Sequence, residues 1–205
     1  MERPSIVILV GISGCGKTTW CNHYISEATI LSMDSIRKEV FNNVSDQSHN
    51  KVVARIFNKQ LEDEIALKHN IVIDNMNINI RYIDDIVNKS KGYDIIFYLF
   101  DNSLDWQNCF NRVKNDNTDR SRTDNVFVSG KPLIQVMSKK YEIVRKEILQ
   151  KYKNTAKIII CNDNNIAIDF SVVYLTGLFF QSSSLSKHCL SNLFLFRFFR
   201  QHYKP

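Results

Sequence analysis

An eight-residue segment near the N-terminus constrains the fold more than any other part of the sequence. Residues 11–18, GISGCGKT, match the pattern G-x-x-x-x-G-K-[ST] at every defined position. An apolar run at 6–10 precedes the segment and a stretch of helical period follows it. In such a loop the glycines let successive backbone N–H groups surround a phosphate, and the following helix presents its positive end to the same anion. The segment therefore predicts the phosphate-binding loop of a P-loop NTPase.

The same loop predicts the cofactors, ATP and Mg²⁺. Lys17 would place a positive charge on the β and γ phosphates, and the hydroxyl of Thr18 is a ligand suited to Mg²⁺. Cys15 stands at a variable position of the pattern. The residues predicted to bind the nucleotide are Gly11, Ser13, Gly14, Cys15, Gly16, Lys17, Thr18 and Thr19.

Short apolar runs alternate with longer segments of helical period along the chain. This alternation is typical of an α/β fold with a mostly parallel sheet, and the nearly uninterrupted runs indicate strands covered on both faces. Strands are predicted at 6–10, 29–33, 71–73, 95–100 and 157–161. Helices are predicted at 17–27, 35–41, 48–69, 80–90, 104–115 and 133–152. The polar segment 115–130 is predicted to be a mobile surface loop.

Composition excludes several classes of protein. The chain is 44% hydrophobic and 23% charged, which excludes collagen-like and wholly disordered proteins. The net charge of +6 favours polyanionic partners without specifying one. Five cysteines without a C-x-x-C pair indicate neither a disulfide framework nor a zinc site, so we expect a reducing, cytoplasmic location. No secretory signal is expected, and no transmembrane segment, because the longest apolar stretch, 170–180, is too short.

The C-terminal part of the chain differs in composition from the rest. We expect a P-loop kinase domain at 1–165, followed at 166–205 by a helix and an aromatic, basic tail of unknown role. Such a tail suits a membrane surface or single-stranded nucleic acid. A final helix folded onto the domain, or an extension without function, explains it equally simply.

Two carboxylates are candidates for the phosphate-acceptor side of the site. Asp74 ends a predicted strand, from where it can reach the metal, although a turn aspartate leading into Asn75 is the alternative. Asp34 and Arg37 lie one helical turn apart at the start of a predicted helix. We interpret Asp34 as the group that takes a hydroxyl proton and Arg37 as the group that binds an anion on the acceptor. An N-cap aspartate is the alternative for Asp34.

In this order and spacing, the blocks resemble the 5′-polynucleotide kinase family of P-loop phosphotransferases over residues 5–150. The blocks are the P-loop with Thr18-Thr19-Trp20, Asp34-x-x-Arg37, Ile73-Asp74-Asn75-Met76-Asn77, Gly92-Tyr93 and Phe100-Asp101. The resemblance implies a three-layer, kinase-like P-loop sandwich whose five strands lie in the order 2-3-1-4-5, with an arginine-bearing lid.

The resemblance also implies roles for individual residues. Asp34 would activate the 5′-hydroxyl of a nucleic acid end, Arg37 would contact the adjacent phosphate, and Asp74, followed by Asn75, would organise acceptor and metal. Arg112, Arg120 and Arg122 are the candidates for the catalytic lid arginine. Arg120 and Arg122 are preferred because Arg112 falls within a predicted helix.

The expected function is ATP-dependent transfer of the γ-phosphoryl group to the 5′-hydroxyl of DNA or RNA, with nucleic acid ends as partners. Two alternatives remain open. One is a P-loop kinase for a small metabolite such as a nucleoside or sugar, because related kinases share the Ile-Asp-Asn-x-Asn and Gly-Tyr blocks. The other is a non-catalytic, ATP-binding switch module that works through a partner.

Overall fold

The computed structural model describes residues 3–25, 28–116 and 126–162. The predicted lid arginines Arg120 and Arg122 lie outside the described residues. So do the expected domain boundary at 165 and the C-terminal tail.

A five-stranded parallel sheet forms the centre of the molecule. Its strands lie in the order β2-β3-β1-β4-β7, so the five central strands follow the predicted order 2-3-1-4-5. The register pairs Ile6 with Ile71 on one side of β1 and with Ile95 on the other. The strands are β1 (Ser5–Val10), β2 (Thr29–Leu31), β3 (Ile71–Ile73), β4 (Asp94–Phe100) and β7 (Lys157–Cys161).

Helices cover both faces of this sheet, which makes the three layers that were predicted. All six residues of β1 are buried, as expected of a central strand covered on both sides. On one face Trp20 packs against Tyr98, with ring centroids 4.4 Å apart, and on the other Phe97 packs against Tyr152 at 5.1 Å. The helices are α1 (Lys17–Tyr24), α2 (Met33–Phe41), α3 (Asn50–Ala66), α4 (Ile80–Lys89), α5 (Trp106–Asn115) and α6 (Leu133–Lys151).

Several predicted boundaries were wrong, for local reasons. The second strand ends at Leu31 rather than at 33, because Ser32 caps α2 and its hydroxyl accepts from the N–H of Ser35. α3 ends at Ala66, three residues early, and Lys68 beyond it adopts a left-handed conformation with φ +58°. α1 ends at Tyr24 rather than at 27.

The connection from β4 to α6 also departs from the prediction. A short 3-10 helix, Asp101–Leu104, separates β4 from α5, which begins two residues later than predicted because the side chain of Asp105 caps it. The end of the segment predicted as a loop is a two-stranded antiparallel hairpin of β5 (Phe127–Val128) and β6 (Lys131–Pro132). Gly130, with φ +74°, supplies the turn.

One polar cluster fixes α6 to the end of β4. The carboxylate of Asp101 accepts hydrogen bonds from Tyr141 at 2.7 Å and from two nitrogens of Arg145 at 2.7 and 2.8 Å. Burial, together with this hydrogen bond to Asp101, raises the pKa of Tyr141, so its phenol stays protonated and donates.

The described cysteines are free and buried thiols, namely Cys15, Cys21, Cys109 and Cys161. Burial raises the pKa of Cys109 to about 12, which keeps this thiol protonated. Across the part of the chain that the structure describes, none of the helices combines the length and apolar character that crossing a bilayer requires.

Candidate active site

The loop between β1 and α1 has the backbone conformation that phosphate binding requires. Gly14 and Gly16 adopt positive φ angles of +79° and +104°, a region that residues with a side chain rarely occupy. Space around Gly16 is open, whereas a Cβ on Gly14 would collide with the carbonyl oxygen of Cys109 in α5. Gly16 is also the N-cap of α1, where no side chain caps the helix and the first turn holds no acid. The helix N-terminus is therefore open to an anion.

Neighbouring elements hold the loop in place. The N–H of Ile12 donates to the hydroxyl of Ser103 at 3.0 Å, and the N–H of Gly11 donates to the carbonyl of Met76 at 2.9 Å. Lys17 is 8% exposed, and its ammonium donates to the carbonyl of Ile12 at 2.8 Å. The loop and its lysine are thus fixed by contacts to residues far away in the sequence.

Of the remaining predicted loop residues, Cys15 is buried beside Gly11 and lies 3.6 Å from the Lys17 ammonium. The hydroxyl of Ser13 faces Met76, and Thr19 lies on the exposed side of α1.

Thr18 and Asp74 lie together at the carboxyl edge of the sheet. The hydroxyl of Thr18 donates to the carboxylate of Asp74 at 2.9 Å, and the N–H of Asp74 donates to the carbonyl of Leu31 at the end of β2. A hydroxyl and a carboxylate are hard oxygen ligands, and Mg²⁺ typically takes one or two protein carboxylates with water and phosphate oxygens completing its shell. The pair therefore fits the predicted Mg²⁺ site. Within the described residues, no group of three or more His, Cys, Asp or Glu side chains forms an all-protein metal cage.

The segment after β3 connects this pair to the start of α2. The side chain of Asn77 is buried and donates to the carbonyl of Leu9 at 2.7 Å, which fixes the segment against the end of β1. The side-chain oxygen of Asn75 accepts from the N–H of Met33, the first residue of α2, at 2.9 Å. The helix that carries Asp34 is thereby held beside Asp74.

Asp34 and Arg37 form an ion pair on α2. The guanidinium Nη1 donates to the Asp34 carboxylate at 2.6 Å; the Asp34 side chain is 52% exposed and the Arg37 side chain 9%. Because Ser32 is the N-cap of this helix, the capping interpretation of Asp34 was wrong. Asp34 lies in the first turn, where a carboxylate also interacts favourably with the helix dipole.

Residues preceding and beginning α3 hold the other side of the guanidinium. Nη2 of Arg37 donates to the side-chain oxygen of Asn50 at 2.8 Å and to that of Gln47 at 3.4 Å. Nε of Arg37 and the side-chain nitrogen of Asn75 are buried without a hydrogen-bond partner. Two buried donors with unused hydrogen-bonding capacity therefore belong to the residues that contact Asp34 or hold its helix.

The electrostatic environment of Asp34 suits proton transfer. Burial in the cleft raises the pKa of Asp34, and this effect outweighs the attraction of Arg37. Asp74 adds to the rise, while Lys17 opposes it, which places all three groups within electrostatic reach of one another. A carboxyl group with a raised pKa is a better proton acceptor near neutral pH than an ordinary aspartate.

The structure thus brings together most of the predicted site residues at one edge of the sheet. Arg112 lies on the exposed side of α5, as its placement in a predicted helix required. Sequence reasoning missed Gln47, Asn50, Ser103 and the anchoring role of Asn77. Ser103 acts on a residue 91 positions away, so no local pattern indicates it.

Comparisons with known proteins agree with this geometry. A solved structure of a chain from the Pnkp1/Rnl/Hen1 RNA repair complex matches with a TM-score of 0.58 and 19% identity, covering 72% of this chain and 47% of that one. This chain therefore spans about half the length of that protein. A chain of the PezAT toxin-antitoxin system of Streptococcus pneumoniae matches with a TM-score of 0.51 and 16% identity, covering 90% and 81% of the two chains.

Shikimate kinase from Bacteroides thetaiotaomicron gives a TM-score of 0.44 at 15% identity, covering 84% and 94% of the two chains. No curated protein matches the sequence. The family described as AAA domain matches residues 6–130, which is more than half of the chain. With its kinase-like P-loop fold, the chain belongs to the AAA domain family.

Proposed function

We propose that the protein transfers the γ-phosphoryl group of ATP to the 5′-hydroxyl of a polynucleotide. The observation that carries this proposal is the Asp34–Arg37 ion pair, which lies within electrostatic reach of Lys17 of the phosphate-binding loop. A P-loop that only binds or hydrolyses nucleotide has no need of a second, acceptor-side carboxylate with a raised pKa. The likeness to a chain of an RNA repair complex supports a nucleic acid as the acceptor.

In this mechanism the protein positions two substrates and moves one proton. The backbone of the loop and the ammonium of Lys17 hold the triphosphate. Asp34 accepts the proton of the acceptor hydroxyl as its oxygen bonds to the γ-phosphorus, and the bond from that phosphorus to the bridging oxygen breaks to release ADP. Bound Mg²⁺, held by Thr18 and Asp74, supplies charge neutralisation on the phosphate oxygens. Arg120 and Arg122 remain the proposed lid arginines.

Arg37 has two parts in the proposal. Its Nη1 orients and charges Asp34, whereas its Nε, which is buried without a partner, is left to bind an oxygen of the acceptor. A phosphate next to the reacting hydroxyl is an acceptor oxygen of this kind.

A small-metabolite kinase is the second candidate, and the burial of Arg37 favours it. With only 9% of its side chain exposed, Arg37 is enclosed by α2 and the start of α3, as expected of a pocket for a small acceptor. A polynucleotide end reaches the same nitrogen only if its terminal nucleotide enters the cleft.

Replacing Asp34 tests the proposal. Asp34→Asn keeps the shape of the side chain but removes the proton acceptor, so turnover should fall by roughly 10² to 10⁴ while ATP affinity stays near wild type. Turnover is measured with 5′-hydroxyl oligonucleotides, nucleosides and sugars as acceptors, and ATP affinity by calorimetry. Asp85→Asn, an exposed aspartate on α4, is the matched control. Unchanged turnover in Asp34→Asn would remove Asp34 from the site, and turnover with sugars alone would favour the metabolite kinase.

A further inference from the structure

The exposed side of the first part of α3 carries positive charge without compensating acid. Residues 50–61 contain three cations, Lys51, Arg55 and Lys59, and no Asp or Glu. The three are spaced at i, i+4 and i+8, so they share one side of the helix, and all are exposed. Lys59 pairs with Asp63 at 2.7 Å, but within the described residues Lys51 and Arg55 have no ion-pair partner.

This stripe begins next to the acceptor side of the site. Asn50, the first residue of α3, contacts the Arg37 guanidinium at 2.8 Å, and Arg37 contacts Asp34. Lys51 follows Asn50 directly, and Arg55 lies about 6 Å further along the helix axis. A continuous path of positive groups therefore leads from the proposed hydroxyl position to the exposed side of α3.

Helix stability does not account for these cations. Positive side chains in the first turns oppose the helix dipole, and a like-charge pair at i and i+4, as in Lys51 and Arg55, is mildly destabilising. The second half of α3 is different, because its acids are paired: Asp63 with Lys59, Glu62 with Lys89 and Glu64 with His69. Unpaired cations are thus concentrated at the end of α3 that adjoins the site.

We propose that Lys51 and Arg55 bind the phosphodiester backbone of the acceptor strand beyond its 5′ end. This inference rests on the proposed function and specifies its substrate as a strand of several nucleotides rather than a terminal nucleoside alone. The occupant is a single polynucleotide strand, since its regularly repeated phosphates complement unpaired cations that follow one another along a helix. The terminal hydroxyl lies at Asp34, and the next phosphates pass Arg37 and continue along α3.

A double substitution with a charge-matched control tests the inference. Lys51→Gln/Arg55→Gln removes the stripe, and Lys68→Gln/Lys91→Gln removes the same charge from two exposed lysines that precede β3 and β4. The control positions lie at the amino edge of the parallel sheet, opposite the site. The acceptors are a 3′-phosphorylated nucleoside and a single strand of about 12 nucleotides, each assayed between about 50 and 200 mM salt.

The stripe variant should lose about tenfold in kcat/KM on the long strand, mainly through KM, with no loss on the nucleoside. Its salt dependence, as the slope of log affinity for the strand against log salt, should become shallower by about 1.4, since each lost contact to a single strand contributes about 0.7. The control variant should behave as wild type. Equal losses on both acceptors, equal losses in both variants, or no loss at all would overturn the inference.

Binding of the labelled strand, measured by fluorescence anisotropy, separates this inference from the proposed function. If the wild-type protein phosphorylates no 5′-hydroxyl, the proposed function is wrong, and the binding measurement alone decides. Binding about tenfold weaker in the stripe variant than in wild type and control supports the strand site. Equal binding by all three proteins rejects it.

Discussion

Removing the charge of Arg37 should shift the pH dependence of catalysis. Asp34 must be ionised to accept a proton, so kcat/KM should fall as pH falls through its pKa. Arg37 stabilises the ionised form, and burial already raises the pKa of Asp34 against this effect. Without the guanidinium the pKa rises further, and the acid limb of the profile moves to higher pH.

The size of the shift follows from the geometry of the ion pair. Charges 2.6 Å apart attract by about 1.6 kcal/mol at the dielectric constant of water, the appropriate choice for a carboxylate that is 52% exposed. This energy corresponds to about one pH unit. Glutamine is the substitution of choice because its amide can still donate to Asn50.

The assay is kcat/KM for phosphoryl transfer across pH in wild type, Arg37→Gln and Arg37→Lys. The lysine variant keeps the charge, so its acid limb should stay within about 0.3 units of wild type, and thermal denaturation checks that all three proteins fold. An acid limb that does not move in Arg37→Gln would refute the reasoning, because the titrating group would then not be an aspartate in contact with Arg37.

Two further substitutions test other parts of the molecule. Lys17→Ala should reduce transfer at least a hundredfold, on the order of the loss of one group that stabilises transition-state charge. Its melting temperature should fall little, since only the hydrogen bond to Ile12 is lost; turnover within about tenfold of wild type would contradict the P-loop assignment. Tyr141→Phe should lower the free energy of unfolding in urea by about 1.5 to 3 kcal/mol, because Asp101 loses a buried donor. Unchanged stability would show that Arg145 alone satisfies this carboxylate.

The sheet was predictable from the sequence because its strands are nearly continuous apolar runs. Segments such as 71–73 have the composition of buried parallel strands, and the strand order came from the resemblance that the motifs carry. Helix ends were less predictable, since they depend on single side chains such as Ser32 and Asp105 whose capping role competes with neighbouring candidates. The hairpin at 127–132 lies in a polar context that gave no strand pattern.

The site was predictable where a local motif carries the chemistry. Lys17 and Thr18 follow from the loop pattern, and Asp74 from its position at the end of a strand. Contacts made across the fold left no such signal. Asn50 holds Arg37 from the start of another helix, and that contact depends on how α2 packs against α3 rather than on any spacing in the sequence. The burial of Arg37 has the same origin.

Transfer of labelled γ-phosphate from ATP to a panel of acceptors tests the central claim most directly. The panel contains 5′-hydroxyl DNA and RNA strands, the same strands already carrying a 5′-phosphate, nucleosides and sugars. The account predicts label on the 5′-hydroxyl strands, none on the 5′-phosphorylated ones, and loss of the signal in Asp34→Asn. Label on sugars or nucleosides alone, or ATP binding without transfer to any acceptor, would contradict it.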